Sequence, residues 1–175
     1  NDTDRPGVIY ATRGNELSVR STFEGDWTRR LIADTVFATG GKTIRDIVLD
    51  PDDWRRAYMV TRTKVYRIDN VDRDSEAVID LTGSLSTFTS YYDSISASQN
   101  DIDLRAIEIY KPAADTTAIF VGGLGGVYRL RFADKAVDGG IMIWEEFGIK
   151  MPNVLVRDVL YDATDDVLAA ATFGR

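Results

Sequence analysis

Cysteine and histidine are both absent from the 175 residues. That removes disulfides, thiolate and imidazole metal ligands, and every mechanism that needs a cysteine nucleophile or a histidine base within this chain. Long apolar runs are missing too, since stretches such as Ala118-Ile119-Phe120-Val121 soon meet glycine or charge, well short of the roughly 18 to 20 residues of a membrane helix. Basic residues are the minority, 21 against 28 acidic, giving a net charge of −7. Neither nucleic acid nor a membrane span is therefore expected. The start, Asn1 to Gly7, has no initiator methionine and no basic-then-apolar leader, and reads as the beginning of a mature or excised piece of a longer protein. A chain without thiols suits export, so an extracellular or periplasmic location is expected. The remaining composition, 44% hydrophobic and 10% aromatic, is that of a folded domain with room for a core.

Apolar residues recur mostly with period two. Val8 to Thr12, Lys64 to Asp69 and Val127 to Phe132 alternate in this way and are rich in β-branched and aromatic side chains, the pattern of half-buried strands. No stretch of eleven or more residues sustains helical spacing, and the chain is read as all-β. Residues 83–103, dense in serine, threonine, asparagine and aspartate, read as a long inserted surface loop that carries Phe88, Tyr91 and Tyr92.

Three segments align: Ile44-Arg45-Asp46-Ile47-Val48-Leu49-Asp50, Leu104-Arg105-Ala106-Ile107-Glu108-Ile109-Tyr110 and Val156-Arg157-Asp158-Val159-Leu160-Tyr161-Asp162. A turn and a strongly apolar strand follow each, Ala57 to Thr61, Ala118 to Gly122 and Val167 to Thr172. In the first two copies, third and fourth strands come next. The arginines lie 60 and 52 residues apart, near the roughly 40 to 50 of four-stranded propeller blades once the insertion is discounted. The expected architecture is thus a β-propeller or propeller fragment of four-stranded antiparallel blades: a partial blade at 7–32, blades at 44–82 and 104–148, and a second partial blade at 156–175. A four-stranded sheet cannot bury both faces alone, so neighbouring blades are required.

These residues resemble the sialidase-type (BNR/Asp-box-like) repeat β-propellers, a group including Asp-box glycosidases, xyloglucanase-like hydrolases, photosystem assembly factors and sortilin-like receptors. Trp144-Glu145-Glu146-Phe147-Gly148, Met151-Pro152-Asn153, Val156-Arg157-Asp158 and Ala171-Thr172-Phe173-Gly174-Arg175 are similar to the final-blade pattern of that group. Ile44 to Pro51 with Ala57-Tyr58 is similar to its first and second strands, and the likeness spans residues 7 to 175. Two departures stand out. The closing strand that usually follows the final pattern is not present before Arg175, and Ser21-Thr22-Phe23-Glu24-Gly25-Asp26-Trp27 is a degenerate Asp box with phenylalanine at the aspartate position. The resemblance implies a non-catalytic binding or assembly module, or alternatively a fragment of a sialidase- or xyloglucanase-like glycoside hydrolase.

First strands line the channel of a propeller, which makes Asp46, Glu108 and Asp158 the candidate carboxylates for glycoside chemistry and Arg45, Arg105 and Arg157 the candidates for recognising an acidic sugar. Strand-end hydrogen bonding and arginine pairing are the competing account of the same recurrence. Tyr91 and Tyr92 complete the candidate ligand surface, for protein or carbohydrate. No cofactor is expected beyond Ca²⁺, for which Asp50-Pro51-Asp52-Asp53, Asn70 with Asp72 and Asp74, and Asn100-Asp101-Ile102-Asp103 are candidates; none forms a full calcium loop, and solvated turns explain them as well. Gly122 to Gly126 reads as a hairpin and Trp144 as core. The expected partners are the remaining blades of the parent protein or another subunit.

Overall fold

A computed structural model describes residues 7–31, 43–72, 77–88, 102–113, 116–131, 142–148 and 150–173. The described strands fall into four antiparallel sheets. The first holds β1 (Ile9–Arg13), β2 (Glu16–Arg20) and β3 (Thr28–Leu31). The second runs β4 (Asp46–Leu49), β5 (Ala57–Val60), β6 (Val65–Asp69) and β7 (Ala77–Asp80). The third repeats that order with β8 (Ala106–Tyr110), β9 (Ala118–Gly123), β10 (Gly126–Arg131) and β11 (Trp144–Phe147). β12 (Val156–Asp162) and β13 (Val167–Thr172) form the fourth. No α-helix occurs among the described residues, and none of their helical segments is long and apolar enough to cross a membrane.

Each sheet is a meander, consecutive strands pairing as antiparallel neighbours. At the β9–β10 hairpin Gly125 adopts φ 102° and Gly126 φ 136°, values that side chains with a Cβ rarely reach. Three apolar seams separate the four sheets. Leu17 and Val19 of β2 meet Ala57, Met59, Tyr66 and Ile68 in the first seam. Tyr58 and Val60 meet Ile107, Ile119, Val121 and Leu130 in the second, and Phe120 and Val127 meet Val156 and Val159 in the third. Period-two alternation explains why β5 and β9 are buried throughout: Ala57 and Met59 serve one seam while Tyr58 and Val60 serve the next. The first strands of successive sheets lie together, β8 packing against both β4 and β12. The four sheets close into no barrel.

One sequence expectation needs adjusting. Residues 83–103 are not all surface loop. Gly83–Thr87 is a 3-10 helix that buries Leu85, Phe88 packs on Tyr128 with ring centroids 5.0 Å apart, and Ile102 is buried in the second seam. Apolar residues at the ends of a polar stretch anchored it, where composition averaged over the whole stretch hid them. In the degenerate Asp box a turn forms, Gly25 N donating to Thr22 O at 3.2 Å, and Trp27, 47% exposed, lies against the Arg20 guanidinium. Trp144 is core, 3% exposed, with Nε1 donating to Leu81 O across the second seam at 2.9 Å.

Candidate functional site

The aligned arginines converge. Arg45, just before β4, Arg105, just before β8, and Arg157 of β12 together wall a cavity of about 300 Å³. Equivalent positions on adjacent first strands bring them there. Arg45 donates from Nη1 to Asp103 Oδ1 at 2.5 Å and to Leu104 O at 2.9 Å. Arg105 grips the other carboxylate oxygen, Nε and Nη2 reaching Asp103 Oδ2 at 3.0 and 2.5 Å. Burial works against the ionised form of Asp103, but Arg105 and Arg45 outweigh it and hold its carboxyl below the usual range. Asp103 sits at φ 43°, a conformation that aspartate tolerates better than most residues and that sets its carboxylate between the two arginines. Arg157 has no ion pair among the described residues; its guanidinium lies over the Phe173 ring, 4.6 Å from the centroid.

The candidate carboxylates hold backbone. Asp46 accepts the amide of Ile47 on Oδ1 at 2.9 Å and that of Ile107, in the next sheet, on Oδ2 at 2.8 Å. Glu108 repeats the arrangement, with Oε1 taking the Ile109 amide at 2.8 Å and Oε2 the Tyr161 amide at 3.2 Å. Ile47 and Ile107 are equivalent repeat positions, as are Ile109 and Tyr161, so each carboxylate ties a strand to the matching point of its neighbour. Burial raises the Asp46 carboxyl above its ordinary value; the two amides oppose that shift, and the charge of Asp158 adds to it. Asp158 itself is exposed. Tyr91 and Tyr92 lie outside the described residues.

Basic side chains reach the acidic turns, although Asp72 Oδ1 is buried without a hydrogen-bond partner among the described residues. Asp50 is fully buried, bonded to Lys111 Nζ at 2.9 and 3.1 Å and to Arg56 at 3.3 Å. Arg55 reaches Asp72 at 3.1 Å. No group of three or more carboxylates able to hold a metal ion occurs among the described residues; Asp74, Asn100 and Asp101 lie outside them.

Sequence reasoning missed a second cavity, of about 420 Å³, between the third and fourth sheets. Tyr110, Phe120, Phe147, Tyr161 and Leu168 line it, with Arg129 at its polar side. Phe120 and Phe147 meet edge to face at 4.9 Å, and Tyr110 and Tyr161 at 4.8 Å. Each ring sits on an ordinary alternating strand, so the pattern marked it as core. The signal was the short fourth sheet, which leaves part of that face uncovered. No family model matches this chain, and no curated protein is similar to it at a meaningful level of sequence identity.

Proposed function

We propose that the chain is a β-propeller segment serving as a non-catalytic binding or assembly module within a larger exported bacterial protein. The stacked four-stranded sheets support this reading, as do the adjacent first strands β4, β8 and β12. So do the carboxylates of Asp46 and Glu108, whose four oxygens are engaged by backbone amides. One observation carries the assembly role. Tyr128 and Trp144, from the outer strands β10 and β11, complete the second seam, whereas β13 pairs only with β12 among the described residues and the matching part of the third seam is the 420 Å³ aromatic cavity.

The occupant that fits is a two-stranded hairpin from the larger polypeptide, continuing the fourth sheet from β13 and setting aromatic side chains into the cavity as Tyr128 and Trp144 do one sheet earlier. Leu160 and Val167, at 62% and 52% exposed, alternate away from the third seam and offer the outer face of the fourth sheet to a following blade. Hydrogen exchange tests this: amides of Val167–Thr172 should exchange about a hundredfold more slowly in the longer polypeptide than in the 175-residue chain. Equal, rapid exchange in both would remove the reading.

A glycoside hydrolase fragment is the competing account, favoured by the raised Asp46 carboxyl beside Asp158. A polysaccharide hydrolysis screen separates the two. The module reading expects no turnover, whereas activity lost in Asp46→Asn and Asp158→Asn would establish the enzyme.

A further inference from the structure

We propose that the cavity walled by Arg45, Arg105 and Arg157 binds a compact oxyanion with two negative charges, a phosphate or sulfate, free or as the terminal group of a larger ligand. Guanidinium groups keep their charge at any physiological pH, so three like charges face one space of about 300 Å³. Such convergence is unfavourable unless negative charge fills it. Asp103 supplies one carboxylate, shared between Arg45 and Arg105. Among the described residues no second carboxylate lines the cavity, and Asp46 and Glu108 hold their oxygens against amides, which leaves two positive charges without a described counter-charge there.

The free donors point to the same class of ligand. Asp103 and Leu104 O engage Nη1 of Arg45, and Asp103 engages Nε and Nη2 of Arg105. That leaves Nε and Nη2 of Arg45, Nη1 of Arg105 and the whole Arg157 fork. Phe173 meets Arg157 through its ring face, 4.6 Å from the centroid, and takes none of its N–H groups. Donors arriving from three first strands suit the several oxygens of a tetrahedral ion, and two positive charges without a described counter-charge match a dianion better than the single charge of a carboxylate. A chain of net charge −7 offers no general attraction to extended polyanions, so a small ion is favoured over nucleic acid.

Calorimetric titration of the chain, at about pH 8 where phosphate is a dianion, tests the assignment at constant ionic strength. Probes are inorganic phosphate, sulfate, glucose 6-phosphate, methanesulfonate as a tetrahedral monoanion, and glucuronate as a carboxylate. Phosphate and sulfate should bind about tenfold or more tightly than methanesulfonate and glucuronate. Tighter binding of glucose 6-phosphate than of phosphate identifies an esterified ligand, and equal binding identifies the free ion. Arg157→Gln should weaken the dianions about tenfold or more without lowering the thermal midpoint in chloride, because Arg157 is exposed, holds no hydrogen bond among the described residues, and its loss relieves repulsion from Arg45 and Arg105. Absence of dianion binding, glucuronate bound as well as sulfate, or affinity unchanged in Arg157→Gln would each overturn the proposal. All of these readouts are independent of the β13 edge.

Discussion

Asp46 reaches across the second seam to Ile107: its Oδ2 accepts the amide of the neighbouring first strand at 2.8 Å while Oδ1 holds the amide of Ile47. A carboxylate placed so fixes how far one sheet can slide along the next. Apolar packing alone is non-directional and leaves that register loose. Glu108 does the same between β8 and β12. Asp46 and Glu108, which the repeat placed on first strands, are therefore stitches between sheets.

Asp46→Ala strips a partner from two amides. We expect a loss of about 1 to 3 kcal/mol, moderated by relief of the buried charge, and a smaller loss for Asp46→Asn, whose amide oxygen still accepts one bond. Urea unfolding measures both. An alanine variant as stable as the parent would show that packing alone sets the register.

Lys111 and Asp50 form a second link between these sheets. Lys111 is 6% exposed and Asp50 fully buried, with bonds of 2.9 and 3.1 Å. Burial pushes the ammonium towards losing its proton, but hydrogen bonds to Asp50 and Asp52 outweigh that and raise its pKa. Lys111→Met should cost about 3 kcal/mol by stranding the carboxylate; Arg56 at 3.3 Å limits the damage. Adding Asp50→Asn should restore part of the loss, and a double variant less stable than Lys111→Met would refute this account.

Strands were legible because both readable signals agreed. Val65–Asp69 and Gly126–Arg131 are short runs rich in β-branched and aromatic residues, and the aligned arginines fixed which strands were equivalent. The convergence of Arg45, Arg105 and Arg157 followed from that equivalence. The role of Asp103 did not, since an aspartate in a polar run looks like a solvated turn until two arginines are seen on it. Likewise Asp46 and Glu108 carry no sequence mark that separates an amide acceptor from a catalytic acid. The aromatic cavity was hidden because a pattern marks a residue as inward-facing without saying what lies opposite.

Acid should expose opposing contributions from Asp103 and Asp46. Despite burial, Arg105 and Arg45 depress the Asp103 pKa, so its stabilisation is complete above the unfolded value of about 3.9 and is lost as pH falls through the lower folded value. Burial raises that of Asp46, so its contribution is complete below the unfolded value and is lost as pH rises through the folded one. Stability followed between about pH 2 and pH 6 should fall less steeply in Asp103→Asn and more steeply in Asp46→Asn. The same acid slope in both variants would contradict the signs.

Two adjacent glycines offer a sharper test of how the sheets abut. A Cβ on Gly122 would lie 2.6 Å from Val156 Cγ1 and 3.2 Å from its Cβ, across the third seam. On Gly123 it would lie 2.5 Å from the backbone oxygen of Ile102, on the opposite side. Both alanine variants should be destabilised by about 1 to 3 kcal/mol through overpacking, but the obstacles differ in kind. Val156 is a side chain and can be cut back, whereas the Ile102 carbonyl is chain that substitution leaves in place. Val156→Ala should therefore couple favourably with Gly122→Ala, the pair being more stable than the sum of single losses by about 1 kcal/mol or more. With Gly123→Ala it should be additive. Thermal and urea unfolding of the three single variants and two pairs measure the difference, and equal coupling in both pairs would mean that the third seam does not bring β9 onto β12 at Gly122.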